Sequence, residues 1–189
     1  MPFSSRLAAD FIDAGGGLAM RALRETDMPE IARMLRDLEV LRWYGDADEA
    51  LEEIEELLDS EYVSPFLVTM HDHPVGYMQA YHANRDDFWP GFGVPAETFG
   101  LDMFLGQSRG HGWGTRMCRA MIDHLWAIPE IVRIQIDPSP DNPRAIRTYH
   151  KAGFTPQGIF PAYYSDEEMV YMTIDRNQTS GGHRPAAGS

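Results

Sequence analysis

The residues whose types and spacing most suggest chemistry lie in a glycine-rich segment past the middle of the chain. Residues 107–115 read Gln-Ser-Arg-Gly-His-Gly-Trp-Gly-Thr, between a predicted strand and a predicted helix. Alternating glycines let the backbone turn several N–H groups toward one point, and a helix N-terminus adds about half a positive charge there. The pattern predicts a cradle for a phosphate or pyrophosphate. A tight strand-to-helix turn without a ligand is the alternative.

Other nucleotide and nucleophile motifs fit this segment poorly. A Walker A loop needs Gly-Lys followed by Ser or Thr, which the segment lacks. A dinucleotide fingerprint has the spacing G-x-G-x-x-G near the first strand, whereas the spacing here is G-x-G-x-G. Residues 106–110 match the nucleophile elbow G-x-S-x-G, with Ser108 at its centre. His124 and His150 fall on predicted helices and His183 lies in the C-terminal tail, which disfavours a hydrolase.

The elements that must position this turn alternate along the chain. Apolar periodicity predicts helices over 26–37 and 49–59 and in the segments after residues 112 and 142, and strands over 18–23, 65–70, 75–81, 99–105, 133–136, 155–160 and 169–174. This order indicates a mixed α/β sheet within one domain over 18–176. Residues 1–17, which end in three glycines, predict a flexible leader, and residues 177–189 predict a disordered tail.

Composition and charge exclude several classes of protein. The chain of 189 residues has a net charge of −13 and lacks the clustered basic residues that a nucleic-acid-binding protein needs. No apolar run approaches the length of a membrane span, which is about 20 residues. One cysteine, Cys118, excludes a disulfide within the chain and a Cys-rich zinc site, and suits a reducing cytoplasm. We expect no metal, no membrane and no nucleic-acid partner, and a cationic ligand fits the charge better.

The negative charge is concentrated in one segment. Nine carboxylates lie between Asp46 and Glu61, and no Lys or Arg occurs between Arg42 and Arg85. Two interpretations follow from this pattern. It is the solvated face of a helix, or it is an acidic wall that attracts a polycation.

Two motifs, in order along the chain, resemble those of the GNAT acetyltransferase superfamily. Gln107-Ser-Arg-Gly-His-Gly112 resembles the acyl-CoA pyrophosphate loop, and residues 142–154, N-P-R-A-I-R-T-Y-H-K-A-G-F, resemble the second cofactor segment. The resemblance implies an α/β (α+β) fold with a mixed, mostly antiparallel central sheet and a V-shaped splay, flanked by about four helices. It also implies that acetyl-CoA lies in the cleft between two central strands.

A closer resemblance is to aminoglycoside 6′-N-acetyltransferases, over about residues 20–174. It rests on residues 134–147 and on the runs Gly76-Tyr-Met-Gln-Ala-Tyr81, Trp43-Tyr-Gly45 and Gly100-Leu-Asp102. The sequence departs from these enzymes at 84–99, where Phe88-Trp89-Pro90 replaces a denser tryptophan cluster, and after Phe160. The resemblance implies a small cationic amine as acceptor, with the chain acting as a monomer or homodimer. Acyltransferases that act on siderophore hydroxylamines or protein amines, and a non-catalytic acyl-CoA-binding module, are the alternatives.

The resemblance implies where the cofactor binds. Backbone groups at the end of one strand are expected to pair with the pantetheine arm, the glycine-rich turn is expected to hold the pyrophosphate, and the second segment is expected to complete the site. These residues are Met103, Phe104, Leu105, Ser108, Arg109, Gly110, His111, Gly112, Trp113, Gly114, Thr115, Asn142, Ala145 and Tyr149. Asn142 is also a good helix N-cap.

Three side chains are candidates for catalysis by direct attack of the amine. Tyr149 would supply a proton to the leaving thiolate, and otherwise it is a core tyrosine. Asp102 would bind the ammonium and take its proton, with Asp137 sharing the role. A strand-end residue and an Asx turn are the alternatives for these two aspartates. Candidate acceptor-binding residues are Trp43, Tyr44, Gln79, Asp87, Trp89, Asp102 and Asp137. For Trp43, Tyr44 and Trp89, which would form the floor of a sugar site, packing in the core or in an interface is the alternative.

Overall fold

The computed structural model describes residue 7 and residues 9–86, 88–106, 110–162 and 167–176. These residues contain a mixed sheet of eight strands in the order β1-β2-β3-β4-β5-β6-β8-β7. All neighbouring strands are antiparallel except β5 and β6, which are parallel. The strands are β1 Phe11–Asp13, β2 Leu18–Ala22, β3 Val63–Met70, β4 His73–His82, β5 Thr98–Leu105, β6 Arg133–Ile136, β7 Thr155–Pro161 and β8 Glu168–Asp175.

Six α-helices connect the strands in the described part of the chain. They are α1 Met28–Leu35, α2 Leu38–Tyr44, α3 Ala47–Glu56, α4 Trp89–Phe92, α5 Trp113–Trp126 and α6 Pro143–Ala152. The predicted mixed, mostly antiparallel fold is confirmed, and α2 and α4 add to the four predicted helices. The helix predicted over 26–37 ends earlier because Asp37 caps a new helix, its side chain accepting the backbone N–H of Glu39.

The segment before β2 differs from its prediction. We expected a flexible leader over 1–17, but Phe11–Asp13 pair with β2, and Ile12 is buried. Gly15, Gly16 and Gly17 all have positive φ and form the turn of this hairpin, so they serve as a tight connection and not as a linker. The Arg116 guanidinium donates to the carbonyls of Ala14 and Gly15 and fastens the turn to α5. Residues 1–6, residue 8 and the predicted tail at 177–189 lie outside the described residues.

Helices cover both faces of the sheet. One face packs against α5 and α6, where Met117, Met121 and Leu125 lie among Phe66, Met78 and other buried residues of the central strands. The opposite face packs against α1, α2 and α3, and its buried residues include Leu67, Tyr77 and Phe104. Because side chains alternate along a strand, neighbouring residues of β3, β4 and β5 serve opposite layers of the core.

The acidic segment forms a largely solvated helix face. Ala50 and Ile54 are the buried residues of α3, and Asp46 caps its N-terminus by accepting N–H groups from Asp48 and Glu49. All nine carboxylates of this segment are exposed, including Glu52, Glu53, Glu55 and Glu56 on α3. This arrangement matches the solvated-face interpretation.

The parallel pair β5–β6 separates partway along its length. Its pairing stops at Gly100 opposite Gln135, and β6 ends one residue later at Ile136. Strand β5 continues to Leu105, and over that length it stays paired with β4. The sheet therefore opens into a gap beside residues 101–105, which is the predicted splay.

Candidate active site

The glycine-rich turn enters α5 at the edge of this gap. Gly112 is the N-cap of α5, and Gly110 and Gly112 have φ values of +92° and +73°, in the left-handed region that favours glycine. A Cβ added at either position would meet no atom within 4 Å, so the space beside this backbone is open. The 14-residue helix α5 begins directly after it and directs its positive end toward the turn. This geometry suits an anionic group such as a pyrophosphate.

Other predicted residues of this turn have different roles. Gly114 lies inside α5, where an added Cβ would be 3.1 Å from Thr148 Cγ2, so this glycine permits close packing against α6. The hydroxyl of Thr115 donates to the Thr148 carbonyl at 3.5 Å. The rings of His111 and Trp113 lie 5.1 Å apart at the helix start. Ser108 and Arg109 lie outside the described residues.

The strand edge beside the gap is supplied by β5. The Met103 N–H donates to Asp102 Oδ1 at 2.8 Å. The Phe104 side chain is buried between Tyr44 and Tyr77, so only its backbone is available to a ligand. Leu105, at the end of the strand, is half-buried.

Asn142 and Ala145 begin the second segment. Asn142 Oδ1 accepts the Ala145 N–H at 3.0 Å and caps α6, which is one of the two roles that the sequence left open. The cap fixes the start of α6, and Tyr149 follows four residues after Ala145, about one turn along the helix.

The two carboxylates lie close enough to influence each other, but they have different surroundings. Asp102 Oδ1 accepts both the Tyr44 hydroxyl at 2.7 Å and the Met103 N–H. Burial raises the pKa of Asp102, and these two hydrogen bonds oppose the rise. Burial raises the pKa of Asp137 to about 7, with the negative charges of Asp102 and Asp86 adding to the effect. A carboxyl with a pKa near neutrality is suited to accept a proton at physiological pH.

Tyr149 lies near both carboxylates. Its side chain is buried, and burial, followed by the charges of Cys118, Asp102 and Asp137, raises its pKa well above the usual value. The phenol therefore stays protonated and can donate a proton or a hydrogen bond. Cys118 packs with its Sγ 3.3 Å from Met103 Sδ, and burial raises the pKa of its thiol to about 12, so it is not a nucleophile.

The predicted acceptor residues are only partly brought together. Tyr44 reaches Asp102, and Gln79 lies opposite Asp102 in the β4–β5 register, its Oε1 accepting the Tyr77 hydroxyl at 2.6 Å. Trp43 is half-buried, with the Arg42 guanidinium 4.8 Å from its ring centroid.

Trp89 lies in the core, which is one of the two roles that the sequence left open for it. Only 4% of it is exposed. Its ring packs against Phe88, Phe92 and Tyr171 inside an aromatic cluster. Large aromatic rings gain more from burial there than from contact with solvent.

Sequence reasoning missed two residues of this side of the site. Tyr81 packs its ring over Gly100, and burial, followed by the charges of Asp137 and Asp102, raises its pKa. Its position two residues after Gln79, on the same strand face, was the available signal. Asp86 influences Asp137 electrostatically, whereas the predicted Asp87 lies outside the described residues.

Comparison with known proteins agrees with the fold and identifies an acyltransferase. Residues 24–161 match the family model described as an acetyltransferase (GNAT) domain, and the chain belongs to this family. It is 33% identical, over 175 residues, to the aminoglycoside N(6′)-acetyltransferase type 1 of Klebsiella pneumoniae, covering 87% of this chain and 86% of that protein. The described residues contain no helix that is long and apolar enough to span a membrane.

Solved structures show the same fold. A structure of AAC(6′)-Ib in complex with paromomycin and acetyl-CoA aligns with a TM-score of 0.78 at 31% identity, covering 90% of this chain and 99% of that one. A structure of AAC(6′)-Ib with coenzyme A and kanamycin aligns with a TM-score of 0.77 at 31% identity, covering 87% and 98%.

Proposed function

We propose that this enzyme transfers an acetyl group from acetyl-CoA to a primary amine of an aminoglycoside. The observation that carries the proposal is the convergence of Asp102, Asp137 and Tyr149 at the point where β5 and β6 separate. The curated relative is named an aminoglycoside N(6′)-acetyltransferase, and AAC(6′)-Ib was solved both with kanamycin and with paromomycin. A monomer or homodimer suffices, because all the named groups come from one chain.

The cofactor side of the gap fits acetyl-CoA. Gly110 and Gly112 leave open space beside a backbone with positive φ, at the N-terminus of a long helix, where a pyrophosphate gains most. The backbone of 103–105, on the strand edge that β6 no longer covers, would pair with the amides of the pantetheine arm. Asn142 and Ala145 hold the start of α6 beside it. When bound, acetyl-CoA supplies an acetyl group activated as a thioester.

The acceptor side fits a cation. Asp102 and Asp137 are two partly buried carboxylates that interact electrostatically, and a bound ammonium group would offset both their repulsion and their burial. Aminoglycosides carry several ammonium groups. A neutral acceptor would leave the two carboxylates uncompensated, which is unfavourable in a partly buried site.

Each of the three side chains performs a separate task in this proposal. Asp102 binds the acceptor ammonium through its carboxylate. Asp137, with its pKa near 7, accepts a proton from the ammonium nitrogen and so frees the lone pair for direct attack. The Tyr149 hydroxyl donates its proton toward the leaving sulfur, so CoA is released as a thiol. The attacking nitrogen loses its second proton as the tetrahedral intermediate collapses, and this proton restores the Tyr149 hydroxyl, which leaves a neutral amide.

The test is turnover of acetyl-CoA with a panel of acceptors, followed by thiol release. The panel contains kanamycin, ribostamycin, a peptide with a free N-terminus, and an alkyl hydroxylamine. We expect turnover with the two aminoglycosides and a product acetylated at the 6′ nitrogen, located by NMR. Turnover confined to the peptide or the hydroxylamine would contradict the proposal and support one of the other acyltransferase classes. Binding of acetyl-CoA without any turnover would indicate a non-catalytic module.

A further inference from the structure

The short helix α2 ends at a residue that reaches into the site. Tyr44 is the last residue of α2, and Gly45, with a φ of +72°, turns the chain away immediately afterwards. The Tyr44 hydroxyl donates to Asp102 Oδ1 at 2.7 Å, across 58 positions of sequence. Its ring packs edge-on against Phe104, with 5.0 Å between the centroids. Both ends of this side chain are therefore fixed by β5.

We propose that Tyr44 is a positioning residue that fixes the Asp102 carboxyl group as the anchor for the acceptor ammonium and leaves the role of base to Asp137. The inference rests on the proposed function, and it assigns to the Tyr44 hydroxyl a task distinct from lining an acceptor pocket with its ring.

The hydrogen bonds of the two carboxylates support this division. Asp102 Oδ1 receives two donors, Tyr44 Oη and the Met103 N–H, which fix the plane of the carboxylate and occupy that oxygen. Its other oxygen, Oδ2, is then the one available to an ammonium group. Among the residues that the structure describes, none donates a side-chain hydrogen bond to Asp137. Hydrogen bonds to a carboxylate favour its charged form. These contacts therefore favour ionisation of Asp102, and Asp137 lacks the same support from the described side chains.

The groups that face Asp102 come from every element around it. They are Tyr44 from α2, Tyr77 and Tyr81 from β4, Asp137 after β6, and Tyr149 from α6. Burial raises the pKa of each of these phenols, so all four stay protonated over the pH range in which the carboxylates titrate. The charge of Asp86 reaches Asp137. Asp102 and Asp137 therefore titrate as a coupled pair, which Tyr44 biases from one side.

The variant Tyr44→Phe tests this role because it removes the hydroxyl and keeps the ring against Phe104. We expect the pKa of Asp102 to rise, since a donor to its charged form is lost. Carbon-13 NMR of the aspartate carboxyl carbons measures this shift in the enzyme without acetyl-CoA or acceptor, and the variant Asp102→Asn assigns the signal. We also expect KM for kanamycin to rise about tenfold with a smaller change in kcat, since a charge-assisted hydrogen bond is lost from the anchor and not from the base.

The matched control is Tyr171→Phe. The Tyr171 hydroxyl donates to Gln135 Oε1 at 2.9 Å and also interacts with the Arg133 guanidinium, so the control deletes a mostly buried hydroxyl whose side-chain partners do not include Asp102. It should leave the Asp102 titration and the KM for kanamycin unchanged. Circular dichroism of each variant establishes that it is folded before the comparison is made.

The double variant Tyr44→Phe with Asp102→Asn shows whether Tyr44 acts through Asp102. If it does, the second substitution changes KM less than about twofold in the Asp102→Asn background. Fully additive effects, or an Asp102 titration unmoved by Tyr44→Phe in an active enzyme, would overturn the inference alone. A wild-type enzyme that acetylates no amine would overturn the proposed function and the anchor role with it, whatever the titration shows.

Discussion

The two sides of the gap between β5 and β6 are built from different parts of the chain. On the cofactor side, the backbone of one continuous segment turns through Gly110 and Gly112 into α5. On the acceptor side, side chains converge from separate elements: Tyr44 from α2, Gln79 and Tyr81 from β4, Asp102 from β5, Asp137 after β6 and Tyr149 from α6. One side presents N–H groups and a helix dipole, and the other presents carboxylates and phenols.

This difference separates the two ligands by charge. An anionic cofactor gains from the positive end of α5, whereas a cationic acceptor gains from Asp102 and Asp137. The marked pKa shifts at the gap fall on the acceptor side, so pH should act mainly on acceptor chemistry. Substitutions on one side should therefore leave the other ligand's affinity almost unchanged.

The largest expected effect comes from Tyr149, at the junction of the two sides. Tyr149→Phe removes only the hydroxyl, so acetyl-CoA should bind with nearly unchanged affinity. General acid catalysis contributes about 10²–10⁴-fold, and kcat should fall within that range when chemistry limits the rate. Single-turnover kinetics measures the loss. If the single-turnover rate were unchanged in Tyr149→Phe, the Tyr149 hydroxyl would have no catalytic role and the side chain would only pack in the core.

A substitution in the cradle should act on the cofactor side alone. Gly112→Val places a branched side chain in the open space beside the backbone, and we expect acetyl-CoA affinity to fall about 100-fold, measured by titration calorimetry. Gly93→Val is the matched control, because Gly93 also has left-handed backbone, with a φ of +78°, and open space around it. The control carries the same backbone strain and should bind acetyl-CoA like the parent. Equal losses in both variants would show that strain, and not the cradle, is responsible.

At saturating acetyl-CoA, ionic strength should act mainly on capture of the acceptor. If carboxylates steer a polycation, kcat/KM for kanamycin should fall several-fold between 0.05 and 0.5 M salt, because charges more than about 10 Å apart are already screened at 0.1 M. A monoamine acceptor provides the control and should show a weaker dependence. If kcat/KM for kanamycin depended on salt no more than kcat/KM for the monoamine, the exposed glutamates of α3 would not contribute to attracting the acceptor.

The smallest expected effect is on stability. The raised pKa of Asp137, about 7, means that the folded state binds this proton more tightly than the unfolded chain. Its contribution to the free energy of unfolding therefore falls as pH rises from about 4 to about 7. Asp137→Asn should be more stable than the parent at pH 8, by at most a few kcal/mol, and show less difference at pH 4.5. Thermal unfolding at the two pH values measures this difference. If Asp137→Asn were less stable than the parent at pH 8, burial of the charged Asp137 carboxylate would not be destabilising, which would contradict its raised pKa.

The same contrast explains which parts of the site could be predicted from the sequence. The cradle and the Asn142 cap depend on contiguous residues, so their spacing alone indicates them. The α2 helix was missed because its first residue, Leu38, is 82% exposed and the segment gives little amphipathic signal. Its Tyr44 acquires a role only through contact with Asp102, which no local pattern reports.

Over the described residues 9–17, the structure differs from the flexible leader that the sequence indicates. Three consecutive glycines at 15–17 are typical of a linker, but here their positive φ angles form the hairpin between β1 and β2. Strand β1 has three residues, too few to show the alternation that predicts a strand. Its stability comes from pairing with β2 and from the bonds of Arg116, which are contacts between distant positions.

The division of work between the two carboxylates is tested most directly by the pH dependence of kcat/KM with kanamycin. Wild-type activity should rise with pH to a plateau, with a midpoint near the pKa of Asp137, about 7, because the base must be deprotonated. Asp102→Asn should keep this rise, displaced to lower pH by loss of a like charge, at a higher KM. Asp137→Asn should lose the rise near 7 and fall about 100-fold at the plateau. A rise near 7 that survives in Asp137→Asn but disappears in Asp102→Asn would contradict the account by reversing the roles of base and anchor.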